Sequence, residues 1–455
     1  MMAVEYPEHR LTRLQALRDA LYSGRLRPVQ RMINALHPAE IASLLESLPA
    51  DERAAVWELV IPDDEGDVLL ELNDEVRASL LRGMDENEIV AATDGMAVDD
   101  LADFIGDLPE AVTQQVLRSM DQQDRDRLAD VIQLMAYPED SAGGLMNTDT
   151  VTVRPDVTLE VVMRYIRQRG GLPDKTDALF VVNRQDQFLG CLHLTRLLAE
   201  DDQMSVAEVM DTDSRPIAAD TAASEVAKRF EDRDLLSAAV IDPAGRLLGR
   251  ITIDDVVDVI REIGEHSLMS MAGLDEDEDM FAPVAASARR RAVWLGVNLA
   301  TAFLAAWVVG LFEATLEKVV VLAVLLPVVA SMGGIAGSQT LTLIIRGLAL
   351  GQIGRSNARL LLLKEVLVGL LNGLMWASVV AVATYLWFRD WQVAVVIGIA
   401  MIANLFVAAL AGVGVPLLLQ RLRVDPALAG GVVLTTVTDV VGFLVFLGLG
   451  TLILI

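Results

Sequence analysis

Five long apolar stretches in the C-terminal part of the 455-residue chain constrain its fold more than any other feature. They cover residues 292–312, 319–345, 360–386, 393–419 and 428–455. At about 1.5 Å per residue, an α-helix of any of these lengths crosses the hydrocarbon core of a bilayer, which is about 30 Å thick. The sequence therefore predicts an all-α membrane domain with five helices over residues 289–455.

Basic residues are distributed unevenly around these stretches. Arg289, Arg290 and Arg291 precede the first stretch, and most other Lys and Arg residues of this part flank the second and fourth connections. Because Lys and Arg are enriched in cytoplasmic loops, this pattern predicts a multi-pass protein of the cell (inner) membrane with its N-terminus in the cytoplasm and its C-terminus outside. The first residues lack the apolar core of a signal peptide, which favours the same orientation.

The part that precedes the membrane domain is strongly acidic. The whole chain has a formal net charge of −27, and the eleven basic and six acidic residues from Arg289 onward leave a net charge of −32 in the preceding part. Such a region repels nucleic acid and attracts cations, although a solubilising surface explains the charge equally well. We expect a cation as a partner and no nucleic acid. The single cysteine, Cys191, excludes an intrachain disulfide framework.

One acid, Asp439, lies deep inside the fifth apolar stretch. An ionised carboxylate in hydrocarbon costs several kcal/mol unless it faces water, a cation or a partner group. Helical spacing puts Gly431, Thr435 and Gly442 on the same face as Asp439, which predicts a polar stripe that lines a passage. A carboxyl group that only packs helices together is the alternative.

The second apolar stretch has a matching polar stripe. Ser331, Gly334 and Ser338 recur at helical spacing with Pro327 and Thr342. Pro and Gly can free backbone carbonyl oxygens, which a membrane tolerates only beside protein or a water-filled path. The sequence therefore predicts that this face lines a pore, while close packing of helices through small residues is the alternative.

The ligand types in the membrane half narrow the choice of ion. This half contains no His and no Cys, so the usual ligands of soft and borderline metals are absent and oxygen ligands remain. One Asp439 per subunit, doubled in a homodimer, suits a largely hydrated Mg²⁺ ion. Transport of Mn²⁺, Co²⁺ or Ca²⁺ stays open, and an intramembrane acid would also serve a proton relay.

Three further domains and a connector are predicted before the membrane domain. Residues 1–135 read as amphipathic helices with recurring Leu-Pro ends, which is typical of a small superhelical stack. Two copies of a β-α-β-β-α unit follow, assigned to residues 136–205 and 206–263. Residues 264–288 are predicted as a connecting helix and linker, whose acidic run at 275–279 reads either as a solvated linker or as a cation-responsive hinge.

The second β-α-β-β-α copy contains a turn that could meet a nucleotide. Gly249, Thr252 and Asp255 combine a small residue, a hydroxyl and a carboxylate at a predicted helix start, where a ribose could bind. The equivalent of Asp255 in the first copy is Arg196, so the acid occurs once. The residues leave two interpretations open, a nucleotide site such as one for ATP and a purely structural turn with a helix cap.

Several segments together carry a resemblance that covers nearly the whole chain. They are YPEDSAGGLMNTD at 137–149, the tandem β-α-β-β-α pair, PVVASMGGIAGSQTLTLIIRGLALG at 327–351, KEVLVGLLNG at 364–373 and RLRVDPALAGGVVLTTVTDVVGF at 421–443. In this order they resemble the MgtE family of magnesium channels and transporters. The resemblance implies a homodimer with an N-terminal helical domain, two CBS domains, a connecting helix and five spans, in which Mg²⁺ passes between the second and fifth helices.

The resemblance also implies which residues bind ions. Asp439 matches the family's ion-binding aspartate in the membrane. Acidic residues of the cytoplasmic domains bind Mg²⁺ and close the pore in that family, and the matching residues here are Asp255 and Asp258, with Asp234, Asp99, Asp100 and Asp103 as further candidates. Transported and regulatory Mg²⁺ are therefore both expected.

Two departures from the family pattern bear on function. Residues 333–339 read Gly-Gly-Ile-Ala-Gly-Ser-Gln, whereas the family has Gly-Gly-Asn-x-Gly-Asn-Gln, so two amide side chains are lost. The connecting segment has Ile263, His266 and Ser267 where the family places acids. A transporter selective for another divalent ion, or a membrane-anchored cation or nucleotide sensor, is therefore an alternative. No nucleophile and base are found together, so an enzyme is not expected.

Overall fold

The computed structural model describes Leu17 and residues 26–93, 96, 98–106, 108, 112–113, 116, 134, 136–173, 175–274, 278–354 and 357–455. Predictions for the other residues, including much of the helical domain and the run 275–277, lie outside this description. The chain forms two compact units, which are described separately. The first comprises Met1–Ile263 and Asp277–Pro283, and the second comprises Gly264–Glu276 and Val284–Ile455.

The described N-terminal residues of the first unit form short helices, as the sequence predicts. They are α1 (Leu26–Ile33), α2 (Pro38–Glu46), α3 (Ala50–Trp57), α4 (Pro62–Leu70), α5 (Asp74–Leu81), α6 (Glu86–Ala92) and α7 (Val98–Gly106). Proline or a side-chain cap starts several of them: Pro38 and Pro62 occupy first turns, and the side chains of Asn73 and Asp85 accept backbone N–H groups. Each helix is too short to be stable alone, so their shared apolar core holds them.

Two three-stranded sheets follow, one in each β-α-β-β-α copy. The first copy contains β1 (Thr152–Val153), α8 (Leu159–Arg169), β2 (Ala178–Val182), β3 (Phe188–His193) and α9 (Leu194–Ala199). After α10 (Val206–Val209), the second contains β4 (Ile217–Ala218), α11 (Ala223–Arg233), β5 (Ser237–Ile241), β6 (Leu247–Thr252) and α12 (Ile253–Met271). In both, the first strand pairs parallel with the second and the second antiparallel with the third. The predicted order of elements is confirmed.

Helix α12 extends beyond the predicted end of the second copy. It continues without a break from Ile253 to Met271, so the predicted boundary at residue 263 falls inside a helix. Gly264 is the only glycine within it and has open space around it, so nothing forces the helix to end there. The last eight residues of α12 belong to the second compact unit.

The second unit contains the membrane helices. They are α13 (Val284–Gly310), the short α14 (Glu313–Lys318), α15 (Val320–Ala349), α16 (Ala358–Phe388), α17 (Trp391–Arg421) and α18 (Pro426–Leu454). All except α14 are long and apolar enough to cross a membrane, which confirms the five predicted spans by length and composition. Helix α17 is the most buried of the five and packs against α15, α16 and α18, while α13 packs against α18.

Candidate functional site

A groove that carries several small polar side chains runs along one face of α15. It has a volume of about 900 Å³ and is lined by Ser331, Gly334, Ile335, Ser338, Gln339, Thr342 and Leu343. These residues include three of the predicted pore-lining positions, Ser331, Gly334 and Ser338. All of the lining residues come from α15, so within the described part of the chain the groove has a single wall.

The opposite face of α15 packs tightly inside the unit. A Cβ atom added to Gly333 would lie 2.3 Å from the Asn404 Nδ2 atom, and one added to Gly337 would lie 2.9 Å from the Leu434 Cδ1 atom. A Cβ atom added to Gly334 meets no atom within 4 Å. Both interpretations of this small-residue segment therefore apply, each to a different face: one face packs helices and the other forms the groove.

Helix α18 holds Asp439 in a half-buried position. Of the residues predicted to share its stripe, Gly431 has open space, and the Thr435 hydroxyl donates to the Gly431 carbonyl oxygen at 3.0 Å. Gly442 is buried, and a Cβ atom there would lie 2.8 Å from the Asn404 Nδ2 atom. In the single chain Gly442 is thus a packing position against α17, and its pore-lining role stays a prediction.

Sequence reasoning missed Asn404, which lies on α17 between Gly333 and Gly442. Its side chain is fully buried, and its Nδ2 group donates a hydrogen bond to the Val329 carbonyl oxygen at 2.8 Å. Its Oδ1 atom has no hydrogen-bond partner among the described residues. The available signal was a single amide side chain inside an apolar stretch, where a polar group is expensive unless it has a role.

A second acid of the membrane helices, Glu365 on α16, was counted in the sequence only as one of six acids of this part of the chain. The structure buries its side chain, which accepts a hydrogen bond from the Thr340 hydroxyl at 3.3 Å and pairs with the Lys364 ammonium at 3.1 Å. Within the described residues no group of three or more His, Cys, Asp or Glu side chains is arranged to hold a metal ion.

The end of the connecting helix contacts the start of α18. Asp425 caps α18 by accepting the backbone N–H groups of Ala427 and Leu428 at 2.8 and 3.2 Å. The His266 Nε2 atom on α12 lies 3.3 Å from the Asp425 Oδ2 atom, which is the oxygen that also accepts from Leu428. His266 is one of the positions that departs from the family pattern, so a histidine and carboxylate pair joins these two helices here.

In the first unit, acidic residues meet at the start of α12. The Asp255 Oδ2 atom accepts hydrogen bonds from the Thr252 backbone N–H at 3.1 Å and from the Thr252 hydroxyl at 3.0 Å. The Lys175 ammonium donates to the Asp254 Oδ2 atom. Asp100 of α7 interacts electrostatically with both Lys175 and Asp254. We call Asp100, Asp254 and Asp255, with Lys175, the acid cluster.

Burial and mutual repulsion shift the pKa values in this cluster. Burial, followed by repulsion from Asp254, raises the pKa of Asp255 to about 6. Burial also raises the pKa of Asp100, which Lys175 partly opposes, and the hydrogen bond to Asp254 raises the pKa of Lys175. Negative charge is therefore only partly compensated here, and an additional cation would be stabilised.

The other predicted regulatory residues are less enclosed. Asp258 is exposed and forms an ion pair with Arg261 at 3.5 Å, although its charge also raises the pKa of Asp100. Asp234 is exposed and ends α11 in a left-handed conformation with φ of 53°. Asp99 and Asp103 lie on α7, but their side chains are outside the described residues. Of the six candidates, Asp100 and Asp255 thus lie in the same acid cluster.

The predicted nucleotide turn is tightly built. A Cβ atom at Gly249 would lie 2.6 Å from the Asn147 carbonyl oxygen, so this position requires glycine for packing. Thr252 is buried, and its hydroxyl lies within hydrogen-bond distance of both Asp254 and Asp255. These contacts satisfy the structural interpretation of the turn, and nucleotide binding stays a prediction.

The fold defines a multi-pass membrane protein with a helical domain and a tandem CBS pair. Family models match the chain in this order: the MgtE intracellular N domain at residues 36–140, the CBS domain at 142–202 and 206–262, and the divalent cation transporter domain of MgtE at 326–449. The chain belongs to the MgtE family of magnesium transporters. The predicted family and architecture are confirmed.

Relatives span almost the whole chain. The magnesium transporter MgtE of Thermus thermophilus is 33% identical over 441 residues, covering 96% of this chain and 98% of its own length. That of Bacillus subtilis is 29% identical and covers 95% of each chain. Among solved structures, the cytosolic domain of the Mg²⁺ channel MgtE in complex with ATP is 30% identical and covers 54% of this chain and 99% of its own, with a TM-score of 0.49.

Proposed function

We propose that the chain forms a homodimeric channel or passive transporter for Mg²⁺, with the ion path between α15 and α18 of the two copies. The observation that carries this proposal is the single-walled groove of α15, along which the exposed side chains of Ser331, Ser338 and Gln339 lie. Hydroxyl and amide groups that face lipid are unfavourable, whereas two such grooves facing each other across a two-fold axis would form a closed, water-accessible passage. Membership of a family of magnesium transporters supports the choice of ion.

Asp439 is proposed as the ion-binding residue of this path. It is half-buried on α18, and a homodimer would supply two such carboxylates. Mg²⁺ loses its water reluctantly and is often bound through one or two carboxylates with several waters retained. The scarcity of other ligand groups among the described residues of the membrane unit fits a hydrated ion.

Mg²⁺ uptake into proteoliposomes tests this assignment. Asp439→Asn should lose most of the uptake, whereas Glu317→Gln, which neutralises an exposed acid of α14, should retain it. Equal uptake by the two variants would refute the role of Asp439. Preferential uptake of Mn²⁺ or Co²⁺ would show that one of these ions, and not Mg²⁺, is the transported ion. A folded dimer that carries no divalent cation would favour the sensor alternative.

Closure by cytoplasmic Mg²⁺ is proposed to depend on the acid cluster. Its charge is incompletely compensated, and it joins Asp100 of the helical domain to Asp255 of the second CBS domain, so an ion bound there would hold the two domains together. Asp255→Asn should shift the inhibition of uptake to higher internal Mg²⁺. Asp156→Asn, at an exposed acid of the first CBS domain, is the matched control. An unchanged midpoint in Asp255→Asn would refute this role.

Nucleotide binding and membrane orientation complete the proposal. The relative whose cytosolic domain was solved with ATP motivates an ATP test at the Thr252 turn, although the hydroxyl is already engaged with Asp254 and Asp255. Calorimetry with ATP on the full chain should show binding that Thr252→Val weakens, and the absence of a heat of binding would support a purely structural turn.

The orientation in the membrane has its own test. Protease protection in oriented vesicles should place the N-terminus in the cytoplasm and the C-terminus outside.

A further inference from the structure

The segment between the connecting helix and the first membrane helix is held by a buried ion pair. Arg53 of α3 is 1% exposed and Asp279 is 6% exposed. The Arg53 Nη1 atom lies 2.9 Å from Asp279 Oδ2, and its Nη2 atom lies 3.0 Å from Asp279 Oδ1. This two-pronged geometry is the strongest form of pairing between Arg and a carboxylate.

Further hydrogen bonds fix both partners. The Arg53 Nε and Nη2 groups donate to the carbonyl oxygens of Leu45 and Leu48, both at 3.0 Å, so the guanidinium is anchored to the end of α2. The Asp279 backbone N–H donates to the Glu75 carboxylate of α5 at 2.7 Å. Side chain and backbone of Asp279 are thus gripped from two different helices of the helical domain.

The gripped segment is itself folded and leads directly into the membrane. The Phe281 backbone N–H donates to Asp279 Oδ1 at 2.8 Å, and the Ala282 N–H donates to the Asp279 carbonyl oxygen at 3.1 Å. Helix α13 begins at Val284, directly after Pro283. Even fully extended, five residues reach only about 17 Å, and the turn shortens this distance further. The stretch of chain between Asp279 and the first residue of α13 is therefore short.

A buried ion pair is poor evidence for stability alone, because desolvation offsets much of its attraction. Its specific consequence is geometric, since neither partner can leave without exposing the other as an uncompensated buried charge. The sequence predicts the acidic run at 275–279 either as a solvated linker or as a hinge. Its last residue, Asp279, forms an ion pair with Arg53, so the run ends at a fixed attachment point.

We propose that Arg53 and Glu75 clamp Asp279 so that the helical domain holds the start of α13 and thereby controls transport. This contact is noncovalent and joins the helical domain to the segment before α13, whereas α12 continues the covalent chain from the second CBS domain. It predicts that loosening the clamp changes transport although every residue of the groove, Asp439 and the acid cluster is intact.

Spin-label distance measurements on the full chain test the attachment. Met280 is 84% exposed and Glu86 of α6 is also exposed, so Met280→Cys and Glu86→Cys can be labelled in a Cys191→Ala background. The distance distribution should be narrow and should broaden or split when Asp279→Leu is added. A distribution that Asp279→Leu leaves unchanged would overturn the clamp. Asp279→Asn, which keeps the turn to Phe281, provides a milder second variant if Asp279→Leu fails to fold.

Mg²⁺ uptake rates at low and high internal Mg²⁺ test the control of transport. In Asp279→Leu at least one rate should change by about fivefold or more, the lower end of the usual range for coupling between distant sites. Asp74→Leu, which breaks the exposed Asp74–Arg77 pair of α5, should leave both rates unchanged. Unchanged rates in Asp279→Leu despite a broadened distance distribution would overturn the inference.

The two proposals can fail separately. The ratio of the wild-type uptake rates at low and high internal Mg²⁺ tests closure by cytoplasmic Mg²⁺. The difference between the uptake rates of Asp279→Leu and wild type tests the clamp. The distance measurement requires no transport, so loss of the Mg²⁺ assignment would still leave the attachment supported or overturned by the spin labels.

Discussion

Two adjacent glycines of α15, Gly333 and Gly334, should differ in how much stability they lose when each is replaced by alanine. A Cβ atom at Gly333 would lie 2.3 Å from the Asn404 Nδ2 atom, about 1 Å closer than a normal contact, whereas a Cβ atom at Gly334 meets nothing within 4 Å. Asn404 is fixed by its bond to the Val329 carbonyl oxygen and cannot move away without losing it. Overpacking of this kind costs roughly 1–3 kcal/mol, while a substitution in open space costs less than about 0.5 kcal/mol.

We therefore expect Gly333→Ala to lower the free energy of unfolding of the purified protein by roughly 1–3 kcal/mol and Gly334→Ala to leave it nearly unchanged. Reversible unfolding in detergent measures both. If the amide causes the clash, Asn404→Ala should recover part of the loss when combined with Gly333→Ala, although Asn404→Ala is destabilising by itself. Equal losses at the two glycines, or strictly additive effects of Gly333→Ala and Asn404→Ala, would refute this reasoning.

The same pair separates packing from conduction. Gly334 lines the groove, so Gly334→Ala narrows the proposed path without disturbing the core. We expect it to reduce Mg²⁺ uptake at unchanged stability. Wild-type uptake by Gly334→Ala would count against the groove as an ion path.

Three further predictions concern the acids. Thr340→Val removes the hydroxyl that donates to buried Glu365 and should lower the unfolding free energy by about 1–3 kcal/mol in the same assay, whereas no change would mean that Lys364 alone satisfies the carboxylate. The pKa of Asp255 is raised to about 6 in the folded protein, so the unfolded chain loses this proton at lower pH and stability falls as pH rises from about 4 to about 6. Without Mg²⁺, the Tm of Asp255→Asn should therefore exceed that of wild type by more at pH 7 than at pH 4. A difference in Tm that is constant with pH would contradict this prediction. Lys175→Met removes the ammonium from the acid cluster and should tighten the binding of regulatory Mg²⁺. The gain in affinity measured by calorimetry should be at most about fivefold, because the lysine is largely exposed. Weaker Mg²⁺ binding would contradict a competing role for Lys175.

Much of the candidate site followed from local pattern. Ser331, Gly334 and Ser338 were placed on one face by helical spacing alone, and the structure puts all three along one groove. The same spacing placed Gly442 beside Asp439, yet Gly442 packs against Asn404. Spacing along a helix shows which residues share a face, but the neighbouring helix decides whether that face is covered.

The residues that the sequence did not reveal are those whose meaning comes from a distant partner. Glu365 was not assigned a role from the sequence, and its significance comes from Thr340, on another helix, which donates a hydrogen bond to it. Arg53 and Asp279 are 226 positions apart; Asp279 was interpreted only as part of an acidic linker or hinge, and Arg53 was not singled out. No local periodicity records such a pair.

The sequence by itself determined the five membrane helices, the tandem CBS pair, the acidic character of the first unit and the single deep acid Asp439. These properties depend on how a segment meets its solvent, lipid or water, and hydrophobicity and spacing record that along the chain. Only the tertiary structure decided that Gly333 packs while Gly334 lines a groove, that Asn404 fills the space between two helices, and that Asp279 is bound by Arg53. Those outcomes depend on which surfaces meet in three dimensions, because burial of an amide or an ion pair is set by the partner that covers it.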